Sequence, residues 1–163
     1  MDSLNTPVVM VIDPDALTLT AIAAMLDSAQ CEVYCAQDRA AALKGATRLD
    51  LDLVVCDEDI DDGQGAGLVS ELRQLPGRQD VPIMYMSRHQ LPDVISRPCG
   101  GGAAYHIRKP VEPRELLKKI DQALYELPLI NQHLERKRHR PHFSAAVTTI
   151  VNIPNVSHYA DAP

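Results

Sequence analysis

The sequence predicts an α/β fold with a parallel sheet wound on both faces, and three observations lead there. Five short apolar runs are spread over the first two-thirds of the chain. Helical apolar periods lie between most of them. The polar residues that end the runs are carboxylates, a hydroxyl and an ammonium, the groups that gather at the carboxyl rim of such a sheet. With 163 residues, the chain is long enough for one ordinary domain and a tail.

The first run, Val8–Ile12, leads into Asp13-Pro14-Asp15. Asp15 then caps a helix whose Leu19, Ile22, Ala23 and Leu26 repeat at helical spacing. The second run is Cys31–Ala36, followed by an Asp38 cap and a helix from Arg39 to Arg48. The third, Leu51–Cys56, meets Asp57 and the acidic stretch "EDIDDG", and Leu68, Val69, Leu72 and Leu75 mark the helix after it. The fourth, Pro82–Ser87, precedes "LPDVISRPCGGG", whose prolines and glycines predict no helix longer than two turns. The fifth, Ala103–Ile107, runs to Lys109-Pro110 and then to a helix entered through Glu112-Pro113 and carried by Leu116, Leu117, Ile120 and Leu124.

We divide the chain into a domain over 1–125, a helical and basic linker over 126–140, and a tail over 141–163. Leu117, Ile120, Leu124, Leu127, Asn131 and Leu134 continue a 3-4-3-4-3 spacing, so the last helix either extends with a kink at Pro128 or ends near Glu126. The tail reads as a stray strand, a disordered end or the start of an output region.

Composition excludes several classes. Net charge is −6, which disfavours whole-body attraction to nucleic acid or anionic membrane. There is no Trp and a single Phe, so base-stacking platforms are not expected. The four cysteines, Cys31, Cys35, Cys56 and Cys99, lack C-x-x-C spacing and read as reduced, mostly packed thiols of a cytoplasmic protein. No apolar stretch is long enough to span a membrane, and the start has no signal-peptide pattern.

Taken together, the strand ends suit phosphoryl transfer: a carboxylate can accept a phosphoryl group, a lysine can neutralise its oxygens, a hydroxyl can donate to one of them, and further carboxylates can hold Mg²⁺. In "VVMVIDPD", "LDLVVCDEDIDDGQGAGLVSELR", "VPIMYMSR" and "AAYHIRKPVEPRELLKKI" the chain resembles a response-regulator receiver domain from about Val8 to Leu124. The resemblance implies a flavodoxin-like receiver fold, five parallel strands in order 2-1-3-4-5. It implies Asp57 as phosphoacceptor, Ser87 as switch hydroxyl, Lys109 as phosphate-pairing lysine and a Lys109-Pro110 bond that is often cis. Gly65 matches the family's glycine before the helix that follows strand three. The aromatic switch position is His106 here, a residue type that could also respond to pH. The implied role is two-component signalling without enzymatic activity. The implied partners are a sensor histidine kinase or phosphotransfer protein, a downstream output protein or domain, and a second copy in a homodimer.

Three departures alter that expectation. The family usually follows its first aspartate with a second, metal-binding acid; here Pro14 takes that place, and proline offers neither carboxylate nor N–H. Asp59 is then the stand-in, giving Asp13, Asp57 and Asp59 as a weak or absent Mg²⁺ site. Without a metal these carboxylates repel, at about 4 kcal/mol for two unit charges at ~4 Å and an effective dielectric of ~20. The second departure is the acidic "EDIDDG", either a solvated loop or a weak divalent-cation site. The third is the broken fourth interval, which changes the usual output surface.

Two other functions compete. "VIDPDALT" resembles the opening of a haloacid-dehalogenase-type phosphatase, with Asp13 as nucleophile and Asp15 as acid/base. Against it, Leu17 replaces that family's usual Thr or Val, and Asp61-Asp62 precedes Ser87 instead of following the lysine. The run Arg136-Lys137-Arg138-His139-Arg140 could bind nucleic acid non-specifically, and reads more simply as a solvated linker.

Overall fold

In the computed structural model, residues 6–89, 104–126 and 150–152 are described. β1 (Val8–Ile12), β2 (Glu32–Ala36), β3 (Leu53–Asp57), β4 (Ile83–Ser87) and β5 (Ala104–Arg108) alternate with helices α1 (Ala16–Ser28), α2 (Arg39–Arg48), α3 (Ile60–Gly63), α4 (Gly65–Gln74) and α5 (Pro113–Asp121). A short wider-wound turn, Gln122–Glu126, continues α5. Every strand pairing is parallel, and the five strands stand in the expected order 2-1-3-4-5. A sixth strand, β6 (Ile150–Asn152), adds to the outer edge of β2 through Tyr34↔Ile150, Cys35↔Val151 and Ala36↔Asn152. The stray-strand alternative for the tail is therefore the one seen at these three residues. The glycine-rich fourth interval, the basic run and Cys99 lie outside the described residues.

Period-two alternation divides the core between the two faces of the sheet. Val9 and Val11 of β1 join Leu19, Ile22 and Leu26 of α1 and Leu116 and Ile120 of α5. Met10 and Ile12 face the other way, onto Ala42 and Ala46 of α2 and Leu68 and Leu72 of α4. Each fully buried aliphatic side chain contributes about 1.5–3 kcal/mol, so these layers hold the strand register that sets the rim. Gly45 is the contact point of α2: a Cβ there would lie 2.4 Å from Tyr34 Cε1 and 2.8 Å from Met10 Cε.

The helix starts follow the sequence. The Asp15 side chain accepts from the Leu17 and Thr18 amides, Asp38 from Ala41 and Glu112 from Glu115, with Pro113 at the first position of α5. α3 was not expected. It is a single turn held by buried Ile60, with Asp61 (φ 50), Asp62 (φ 57) and Gly63 (φ 88) in the left-handed region. Asp enters that region more readily than bulky or branched residues do.

Candidate functional site

Parallel pairing brings the carboxyl ends of β1, β3, β4 and β5 to one rim. Asp13 follows β1, and its amide donates to Ala36 O at 3.1 Å, fixing the chain as it leaves the sheet. Its side chain is enclosed, with Oδ1 accepting from the Asp15 amide at 2.8 Å. Asp13 thus bridges over Pro14, whose carbonyl accepts from Gln37 Nε2 at 3.0 Å. The proline sits in an exposed turn and brings no carboxylate to the rim.

Asp57 closes β3 and is 2% exposed. α4 begins directly beneath it: a Cβ on Gly65 would lie 2.7 Å from Asp57 O and 3.0 Å from Glu58 Cα. That close approach explains a glycine at the start of α4.

Lys109 joins the two carboxylates. Its Nζ lies 2.5 Å from Asp13 Oδ2 and 3.1 Å from Asp57 Oδ1. The loop carrying it is fixed by Lys109 N donating to Ser87 O at 2.8 Å and contains a cis Lys109-Pro110 bond. Burial pushes the Asp13 carboxyl above its usual range, against the lowering effects of Lys109 and the Asp15 amide. Burial pulls the Lys109 ammonium down, and the two carboxylates more than offset this, so its pKa stands above the ordinary lysine value.

Ser87, fully buried, ends β4, and its Oγ accepts from the His89 amide at 3.1 Å. His106 stacks on Tyr85 with ring centroids 5.5 Å apart and an interplanar angle of 27°. Its Nδ1 lies 3.7 Å from Glu58 Oε1. Asp59 is exposed and leads into α3, and Asp61 faces Arg39 NH1 at 3.6 Å. Of the residues singled out in the sequence, Asp13, Asp57 and Lys109 meet, Ser87 touches the lysine loop through its backbone, and Asp59 stays at the surface.

These donors do not fit a metal cage. Among the described residues no three His, Cys, Asp or Glu side chains group to hold an ion. The proline removes one ligand, Asp59 points its charge to solvent, and an ammonium already holds both buried carboxylates.

The response regulator receiver domain profile matches residues 9–121. The chain belongs to that family. Receiver domains are the signal-accepting modules of two-component signal transduction, and the alternating strands and helices here are theirs. The chain is similar to the signal transduction histidine-protein kinase BarA of Escherichia coli, 25% identical over 108 residues, which is 66% of this chain and 12% of that protein. The Shigella flexneri BarA matches at 24% over the same length. The chain thus spans about an eighth of the relatives it matches. Among solved structures, chemotaxis protein CheY4 of Vibrio cholerae superposes with a TM-score of 0.64 at 22% identity, covering 73% of this chain and 99% of that one. A CheY-like receiver domain of Methanospirillum hungatei does so with 0.65 at 22%, covering 81% and 99%. These likenesses establish the fold.

Asp15, the acid/base of the phosphatase reading, is occupied by capping: besides two amides it accepts from Thr18 Oγ1 at 2.6 Å. These hydrogen bonds hold its carboxyl below the usual range. Three cysteines are free and buried, and burial pushes the thiols up to about 11 for Cys31 and Cys35 and about 12 for Cys56. No helix among the described residues is long and apolar enough to cross a membrane.

At this site the sequence reading left two features open. One is that Lys109 contacts Asp13 as well as Asp57. The other is Leu17, 80% exposed at the start of α1. The signal was present in its place off the Leu19-Ile22-Leu26 stripe. A groove of about 620 Å³ opens beside it, between α1 and the Lys109-Pro110-Val111 loop.

Proposed function

We propose that this receiver works as a docking relay in a two-component pathway, without enzymatic activity, and that its working shape is independent of Mg²⁺-assisted phosphorylation. One observation carries the reading: the Lys109 ammonium ties Asp13 to Asp57 while Pro14 fills the place of a metal-binding acid. Mg²⁺ binds weakly or not at all. Among the described residues, Asp13 and Asp57 are the carboxylates that meet at Lys109, and Mg²⁺ favours several hard oxygens in near-octahedral order.

The partner surface of this reading is the groove beside α1. Leu17, Ile22 and Met25 give it an apolar wall, with one acid and one base, Asp15 and Arg88, also lining it. A sensor histidine kinase or its phosphotransfer domain, presenting a helix with an apolar face, matches that chemistry. A downstream output protein or a second copy of the chain would read the opposite side of the rim, near Tyr85 and His106.

A second reading keeps Asp57 as phosphoacceptor, with Ser87 and Lys109 assisting. It is favoured by the placement of Asp57 at the end of β3, within 3.1 Å of Lys109 Nζ. Intact-mass spectrometry with acetyl phosphate separates the two. The relay reading expects no 80-dalton adduct (the mass of one phosphoryl group) with or without Mg²⁺, and an adduct on Pro14→Asp in Mg²⁺. A native adduct lost in Asp57→Asn would establish the phosphoacceptor instead.

A further inference from the structure

Two carboxylates at least nine-tenths buried need positive charge. An uncompensated pair in this setting would repel strongly, and each ion taken from water has already lost several kcal/mol of hydration. Family membership suggests a divalent ion for that task, and the donor set here does not suit one. Among the described residues, the cation between them is Lys109, whose side chain is itself only 9% exposed. It lies nearer Asp13 than Asp57, at 2.5 Å against 3.1 Å. Each carboxylate directs one oxygen at the ammonium, and neither of these oxygens has another hydrogen-bond partner among the described residues.

The lysine is also held where it stands. Its amide donates to Ser87 O, so the backbone holds the residue at the rim alongside the ion pairs. Pro14 completes the arrangement: an acid at that position would be a third carboxylate for a single ammonium to serve.

We propose that Lys109 is the resident cation of this rim, its ammonium bridging Asp13 and Asp57 in place of a divalent metal ion. This deepens the relay reading and rests on it. The bridge ties the loop after β5 to the ends of β1 and β3, so one side chain fixes the shape of the groove wall that includes Pro110 and Val111. Removing the lysine leaves two buried charges exposed to each other and opens the site to external cations.

The test is thermal unfolding of the native chain, Lys109→Met and Lys109→Met/Asp13→Asn, each with and without millimolar MgCl₂ and matched for ionic strength. The native Tm should be unmoved by Mg²⁺. Lys109→Met should lose roughly 10 °C, from breaking a buried pair in a domain of this size, and should regain part of it in Mg²⁺. The double variant should recover stability in the absence of metal, because one of the two unpaired charges is gone, and should lose the Mg²⁺ response. A native Tm that rises with Mg²⁺ as much as that of Lys109→Met would overturn the proposal, as would a Lys109→Met variant as stable as the native chain. If Lys109→Met does not fold, the double variant decides: folding supports the proposal and failure to fold overturns it. The readout is independent of phosphorylation. An Asp57 adduct on a native chain that still shows this Tm pattern would sink the relay reading and leave the resident lysine standing.

Discussion

Two clusters in this molecule share one composition, a single cation between two carboxylates, and differ in almost everything that follows. Lys109 stands between Asp13 and Asp57 with side-chain exposures of 9%, 1% and 4%. Arg39 stands between Asp61 and Glu71 with exposures of 33%, 38% and 45%. The second cluster ties α2 to α4 and α3 at the surface, where water competes for each charge and either partner can leave at little cost. The first has no such outlet. Its members were desolvated by the core that raised them, and each is held by the others. Burial, more than the number of ion pairs, separates a structural lock from a solvated contact.

The largest expected effect comes from deleting each cation in turn. Lys109→Met should cost about 3–5 kcal/mol, because two buried carboxylates are left without a partner. Arg39→Met should change the denaturant midpoint very little. Chemical denaturation of both variants checks the gap, and equal losses would erase the distinction drawn here.

The next effect tests how the buried cluster is supported. Gly65→Ala would place a methyl 2.7 Å from Asp57 O and 3.0 Å from Glu58 Cα, both backbone atoms that cannot rotate away. Overpacking of this kind costs about 1–3 kcal/mol, and the strain falls on the residue facing Lys109. Gly67→Ala, two positions on, meets only Gln64 Oε1 at 3.8 Å and should be neutral or better. Urea midpoints of the two variants should therefore separate.

The sequence made the buried cluster more legible than the surface one. Strand ends could be read because apolar runs stop at the polar rim, and each run lay within two residues of its strand. Helix starts at Asp15, Asp38 and Glu112 were legible because a cap is a local event. Asp13 as a partner of Lys109 was not, since which of two carboxylates an ammonium approaches depends on side-chain reach across three strands. α3 was missed because a one-turn helix with two aspartates in the left-handed region has no apolar period. The Arg39 cluster was missed for a similar reason: its members lie 22 and 32 positions apart, and only the packing of α2 on α4 brings them together. β6 was one of three readings of the tail, since a three-residue pairing with β2 leaves too short a pattern to decide among them.

A smaller effect should appear with pH. Lys109 has a folded-state pKa above its ordinary value, so the folded chain holds that proton more tightly than the unfolded one. The sign follows from linkage. Its contribution is complete below the ordinary lysine value and is lost as pH rises through the raised one. The Asp13 pKa is also raised, by burial, so acidification through its folded value favours the native state from that group alone. Between neutral pH and the alkaline range, the native chain should lose stability more steeply than Lys109→Met. Arg39 keeps its charge throughout and should add no slope. Parallel pH profiles for native chain and variant would remove the lysine from the account.

The smallest effect is the response to salt, and it isolates the contrast without any mutation at the rim. At about 1 M NaCl the Debye length is about 3 Å, shorter than the 3.6 Å between Arg39 NH1 and Asp61 Oδ2. Mobile ions can approach that cluster from solvent, so its attraction is screened and Arg39→Met should become indistinguishable from the native chain. They cannot enter the space among Asp13, Lys109 and Asp57, where the carboxylates are at least nine-tenths buried, so the loss caused by Lys109→Met should survive. General salting-in or salting-out acts on all three proteins and cancels in the differences. The measurement is therefore the pair of stability differences, native minus Lys109→Met and native minus Arg39→Met, at low and high salt. A Lys109 difference that shrinks in proportion to the Arg39 difference would mean that solvent reaches the rim, and that the two clusters are one kind of contact after all.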